Sequence, residues 1–140
     1  MNQIDWESRL GKFIASGSTR KVYFDNNDPN NVIKVESSKS FQNVKEWLLS
    51  EELIYTEDYH KIARCKDISL DGKYLLQEYA RDITEDELIL FKTLKYPNFL
   101  TDVKISNLGM TNDNKIVFRD YGSSILTYNY RTKKHKVRKD

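Results

Sequence analysis

The sequence predicts an α+β protein. A five-stranded antiparallel sheet with one helix fills the first 80 residues, and a smaller second part is built on a helix and a hairpin. Three observations carry this expectation. Through residue 80, short β-branched and aromatic runs alternate with clusters of Asn, Asp, Gly and Pro, interrupted by a single helical stretch. Thr84, followed three residues on by Glu87, has the spacing of a capping box and opens a second helical stretch. Two short apolar runs then flank Asn112-Asp113-Asn114, whose residues favour a turn.

The elements follow in order. Phe13 to Ala15 is apolar and leads into the polar Ser16-Gly17-Ser18-Thr19. Lys21-Val22-Tyr23-Phe24 and Val32-Ile33-Lys34-Val35 read as strands around Asp25 to Asn31, a stretch of turn chemistry that includes Pro29. Ser40 is placed to cap a helix running to about residue 59. Phe41, Val44, Trp47, Leu48, Leu49, Leu53 and Ile54 supply its apolar positions. Residues 62–68 and 74–79 are the fourth and fifth strands, joined around Asp71-Gly72. In the second part Leu88, Leu90, Phe91 and Leu94 give the apolar face of a helix over residues 84–96, which Pro97 stops. Residues 105–110 and 115–121 are expected as strands, with residues 125–130 as a last one. The organisation is therefore 1–80, 81–130 and a basic tail at 131–140.

Composition narrows the function. Hydrophobic residues make up 39% of the chain, enough for a modest core, and no run is long and apolar enough for a membrane span. Residues 1–9 lack the basic-then-apolar pattern of an export signal, and a lone Cys65 allows neither an internal disulfide nor a four-ligand zinc site. A reducing cytoplasm is the expected compartment. Residues 131–140 hold six Lys or Arg and one Asp, whereas the rest of the chain is net acidic. The acidic body argues against nucleic-acid binding. The tail is expected either as a solvated terminal strand or a frayed end, or as a dock for an acidic surface. His60 and His135 read as ordinary surface residues.

The chemistry concentrates in Asp102-Val103-Lys104-Ile105-Ser106-Asn107 and Asp120-Tyr121-Gly122. This pair of motifs resembles the catalytic loop, D-x-K-x-x-N, and the metal-binding D-F-G of the protein kinase superfamily. Upstream, Val32-Ile33-Lys34 resembles the V-A-I-K strand, and Ala15 to Val22 resembles the glycine-rich loop with only Gly17 kept. Gln77-Glu78-Tyr79-Ala80 is similar to the hinge between kinase lobes. The order of parts matches, and the resemblance covers about residues 10–125.

The resemblance implies a two-lobed kinase-like fold with a five-stranded N-lobe and a much reduced C-lobe. It also implies ATP and Mg²⁺ as cofactors and a protein substrate or partner. Lys34 would grip the phosphates, with a helix carboxylate fixing its geometry. Glu46, Glu51 and Glu52 are the candidates, and Glu46, in the first half of the helix, is preferred. Amides of Ser16, Gly17, Ser18 and Thr19 would cover the phosphates. Val22 and Val32 would pack on adenine, the Glu78 carbonyl and the Ala80 N–H would bond its edge, and Gln77 would form the back wall. Asn107 and Asp120 would hold Mg²⁺ through oxygen. Asp102 would orient or deprotonate the acceptor hydroxyl, and Lys104 would offset the charge of the transferred phosphoryl group. Ser16, Ser18, Thr19, Ser123 and Ser124 are candidate self-acceptors.

The departures are equally specific. Gly109 stands where a large apolar residue usually floors the base, so either Leu108 or Met110 compensates or the pocket is loose. Leu100-Thr101 precede Asp102 where His and Arg are common, and no substrate-holding helices follow Gly122. Two further readings stay open beside the phosphotransferase: a catalytically weak nucleotide-binding switch, and a module that binds and blocks a partner.

Overall fold

The structure is a computed structural model and describes residues 2–37, 39–89, 93–124 and 130–139. Strands β1 (Leu10–Ser16), β2 (Arg20–Asp25), β3 (Asp28–Glu36), β4 (Cys65–Ile68) and β5 (Tyr74–Glu78) form one antiparallel sheet in the order β1-β2-β3-β5-β4. The turn between β2 and β3 is only Asn26-Asn27, and the strand runs on through Pro29. Proline is tolerated there because pairing with β5 begins only at Asn31, so its missing N–H breaks no bond of that ladder.

Period-2 alternation gives the sheet two faces. Ile33, Tyr74 and Leu76 pack on Trp6 of helix α1 (Gln3–Ser8), whose indole stacks on Tyr74 at 5.6 Å between centroids. The sequence reading missed α1. Its signal was present in the reciprocal Asn2 and Asp5 capping box. Val22, Val32, Lys34, Leu75 and Gln77 alternate with those residues and face the other way, toward helix α2 (Gln42–Leu53) and a cleft.

Helix α2 departs from expectation in three ways. It ends at Leu53, and residues 57–61 form a separate 3₁₀ turn. Ser40 does not cap it, and its hydroxyl is buried without a partner among the described residues. The Glu36 carboxylate of β3 takes the cap's role and accepts from the N–H groups of Phe41 and Asn43, each at 2.8 Å. The helix also buries a partly polar face: Asn43, Glu46 and Ser50 are buried with Leu49 and Leu53, whereas Phe41, Leu48 and Ile54 are exposed.

In the second part the Thr84 and Glu87 capping box forms as expected and opens α3 (Glu85–Ile89). The helix expected to continue to residue 96 does not. Leu90 and Phe91 lie outside the described residues, and Thr93–Pro97 is strand β6. Its antiparallel partner is the basic tail, strand β9 (Thr132–Lys136), exposed except at His135, so of the expected forms the tail takes that of a solvated terminal strand and not of a frayed end. The expected strand over residues 125–130 lies outside the described residues, except for Tyr130.

Strands β7 (Leu108–Met110) and β8 (Ile116–Phe118) form the expected hairpin, and residues 105–107 are a 3₁₀ turn. The main core joins both parts of the chain: Leu49, Leu53, Ile62 and Leu75 pack with Leu88, Tyr96, Leu100, Leu108, Phe118, Tyr121 and Val137. A backbone bond crosses between the parts as well, from Ala63 N–H to the Phe118 carbonyl, and Arg81, at the start of the second part, is bonded in both directions to Met110.

Candidate functional site

The fully buried carboxylate of Glu46 organises the site. Its Oε1 accepts from Lys34 Nζ at 2.8 Å and Gln77 Nε2 at 3.2 Å. Its Oε2 accepts from an Arg20 guanidinium nitrogen at 2.7 Å and from the N–H groups of Tyr121 and Gly122 at 3.0 and 2.8 Å. Strand β3, helix α2 and the Asp120-Tyr121-Gly122 turn are thereby tied to one group. Burial alone would raise the Glu46 pKa, but the charges of Arg20 and Lys34 and their hydrogen bonds bring it down to about 2. Burial lowers the Lys34 pKa, against the pull of Glu46 and with the help of the neighbouring Arg20 charge. Glu51 and Glu52 are exposed, so the choice left open among three glutamates falls on Glu46.

A cleft of about 650 Å³ opens beside this network. Of the residues assigned to nucleotide, metal and catalysis, Ser16, Gly17, Ser18, Val22, Val32, Lys34, Glu78, Ala80, Asp102, Lys104, Asn107 and Asp120 line it, and Glu46 lies behind Lys34. Thr19, Gln77 and Ser123 line it too, whereas Ser124 is buried and accepts from the Thr101 N–H. Among the described residues no acceptor takes the Ala80 N–H.

Asp102 has a left-handed backbone, φ 58°, and projects a partly exposed carboxylate. Asn107 Nδ2 donates to its carbonyl at 2.8 Å and to Oδ2 at 3.2 Å, and Lys104 Nζ stands 3.6 Å from the same oxygen. Burial opposes ionisation of Asp102, yet bonds from Arg138 and Asn107 hold its pKa below the usual carboxylate range. Both N–H bonds of Asn107 point at Asp102, so its Oδ1 remains available. Asp120 Oδ1 is held by Arg20 at 2.6 Å, and neither Asn107 Oδ1 nor Asp120 Oδ2 receives a hydrogen bond from the described residues. Hard oxygen donors of this kind suit Mg²⁺.

Of the two alternatives for the floor of the base pocket, compensation by a neighbour of Gly109 falls away. Leu108 and Met110 are buried in the core and do not line the cleft, so neither substitutes for an apolar floor. Gly109 cannot carry a larger side chain, because a Cβ there would stand 2.6 Å from the Ala80 Cβ. The Arg119 guanidinium lies in the cleft instead, bonded to the Ala80 carbonyl at 2.8 Å and to Asp82 at 2.6 Å.

Three arginines were not assigned roles from sequence. Arg20 occupies a glycine position of the loop pattern and bridges Glu46 and Asp120. Arg119 precedes the Asp120-Tyr121-Gly122 motif. Arg138, from the tail, pairs with Asp102 Oδ1. The departures from glycine and from a large apolar residue were the only local signals for the first two.

No family model matches this chain, and no curated protein matches it. The chemistry rests on the geometry: the cations Arg20, Lys34, Lys104 and Arg119, the acids Glu78, Asp82, Asp102 and Asp120, the Asn107 amide oxygen and the Ser16 to Thr19 turn border one opening, a polar set that can take a phosphate-bearing ligand with its metal.

Proposed function

We propose that the protein is a minimal protein kinase-like, ATP- and Mg²⁺-dependent phosphotransferase acting on protein hydroxyls, its own included. One observation carries this reading. Residues from four separated segments, Ser16 to Thr19, Lys34, Asp102 to Asn107 and Asp120, border a single cleft, with Lys34 fixed by a buried glutamate. Lys34 would neutralise phosphate charge, and the Ser16 to Thr19 turn would cover the phosphates through its N–H groups. Glu78 and Ala80 would meet the adenine edge, with Val22 and Val32 against its face. Asn107 and Asp120 would hold Mg²⁺, which would supply charge neutralisation on the phosphate oxygens.

Asp102 would accept the proton of the acceptor hydroxyl as its oxygen bonds to the γ-phosphorus. The bond from that phosphorus to the bridging oxygen breaks and ADP leaves, while Lys104 offsets charge on the phosphoryl oxygens. The test is a nucleotide titration by thermal shift with and without Mg²⁺, then mass spectrometry after incubation with ATP. Wild type should be stabilised and gain phosphate. Asp102→Asn should still bind nucleotide and lose about 10²- to 10⁴-fold in transfer rate. Absence of any shift at millimolar ATP refutes the reading.

A second reading has its own support. Arg138 engages Asp102 and Arg20 engages Asp120, so both cleft carboxylates already carry a protein cation. A nucleotide-binding switch without transfer would bind ATP, leave wild type and Asp102→Asn equally unphosphorylated, and change its affinity for a partner.

A further inference from the structure

We infer that the basic β6/β9 ribbon is a docking track for acidic polypeptide and that it selects substrates whose acceptor hydroxyl is flanked by Asp or Glu. The transfer half of this inference rests on the phosphotransferase reading above. The binding half does not.

The ribbon presents an uncompensated positive face. Lys95 of β6 and Lys134 of β9 stand directly opposite one another, and Lys136 lies two residues along the same face of β9. All three are exposed, and none has an acidic partner among the described residues. Like charges directly opposed across a ladder are destabilising, so the arrangement costs stability in the isolated protein and is relieved by an anion. Exposed Arg131, Lys133 and Lys139 add to the same region.

The track leads to the candidate acceptor site. Immediately after β9 the chain bonds to the Asp102 loop, with Arg138 N–H donating to the Val103 carbonyl at 3.0 Å and Ile105 N–H to the Arg138 carbonyl at 2.8 Å. The half-exposed Arg138 guanidinium then meets Asp102 Oδ1. Cations at Lys134, Lys136 and Arg138 are two residues apart, about 7 Å in an extended chain, which matches alternate side chains of an extended peptide. Among the described residues β9 pairs on one side only, so its other edge offers backbone groups to such a peptide.

Acidic polypeptide is favoured over nucleic acid by the same face. Binding of single strands uses exposed aromatics on which bases stack. The ribbon's aromatic residues, Tyr96 and His135, are buried toward the core and offer no such platform.

The test uses the full chain and two labelled peptides, one serine flanked on each side by three glutamates or by three lysines. Anisotropy should show binding of the acidic peptide alone, weakening as salt rises from 50 to 300 mM. The double variant Lys134→Glu, Lys136→Glu should bind it about tenfold more weakly. That variant also replaces the Lys95/Lys134 repulsion with an opposite-charge pair, so its melting temperature should hold or rise, which separates lost docking from lost folding. With ATP and Mg²⁺ the variant should raise KM for the acidic peptide and leave kcat unchanged.

Equal binding of both peptides, or equal affinity of variant and wild type, overturns the docking track; the lysines then only guard a strand edge. Tighter binding of a twelve-residue oligothymidylate than of the acidic peptide at 150 mM salt also overturns it, in favour of nucleic acid. Salt-sensitive, variant-sensitive binding of the acidic peptide without transfer upholds the track and refutes the phosphotransferase reading.

Discussion

Replacing Glu46 by Gln keeps the side chain's shape and removes the charge that Lys34 and Arg20 share. Both cations are buried, and Glu46 is the only acid pairing with Lys34 among the described residues, while Arg20 would keep the half-exposed Asp120. Removing one partner of a buried ion pair typically costs about 3–5 kcal/mol, because the remaining charge stays desolvated. The depressed Glu46 carboxylate points the same way. The Glu46 pKa falls from 4.5 to about 2, which corresponds to about 3 kcal/mol of stability. Because the folded value is depressed, this stability is present above pH 4.5 and is lost as pH falls toward 2. Urea unfolding followed by fluorescence should therefore show Glu46→Gln less stable by about 3–5 kcal/mol at pH 7, with a melting temperature about 6–20 °C lower. The difference from wild type should shrink as the pH falls from 4.5 toward 2. A loss below about 1 kcal/mol at pH 7, the range of exposed pairs, would refute the buried network.

Two further outcomes follow from packing and titration. Gly109→Ala should destabilise by about 1–3 kcal/mol through overpacking against Ala80, whereas Gly17→Ala, where no atom lies within 4 Å of the added Cβ, should stay within about 0.5 kcal/mol by thermal melting. Burial lowers the His135 pKa despite its bond to the Pro97 carbonyl, so the folded state keeps the ring neutral where the unfolded chain protonates it. Wild type should lose stability as pH falls through about 6.5, and His135→Gln should show a shallower loss between pH 7 and 5.

What the sequence made legible divides along physical lines. The five strands were readable because Val, Ile, Tyr and Phe runs are punctuated by Asn, Gly and Pro, and the cleft residues because their spacing is local. The buried face of helix α2 is only partly legible: the kinase resemblance points to Glu46, whereas hydropathy alone leaves Asn43 on the surface, where a shared charge network buries it. Strand β6 was read as helix because its partner, Lys-rich β9, is remote in sequence and carries little apolar signal. His135 was taken as a surface residue for the same reason. Arg138 on Asp102 depends on that pairing and was equally invisible.

The core that runs from Leu49 through Leu75 and Phe118 to Val137 has a consequence for motion. The first part has a small interior of its own around Trp6, Ile33, Tyr74 and Leu76, but the main core is shared, so swinging the two parts open as rigid jaws would break apolar contacts on both sides. Access to the cleft must come from what is lightly packed around its rim. The turn at Gly17 to Thr19 is such a part: backbone bonds run from Gly17 N–H to Arg20 and from Ser37 N–H to Thr19, side-chain bonds join Thr19 to Gln42 and Ser37, and Gly17 and Ser18 between them carry no further bond among the described residues. The protein is built as a fixed vise with one soft lip, and the rate at which a ligand enters or leaves belongs to that lip rather than to a hinge.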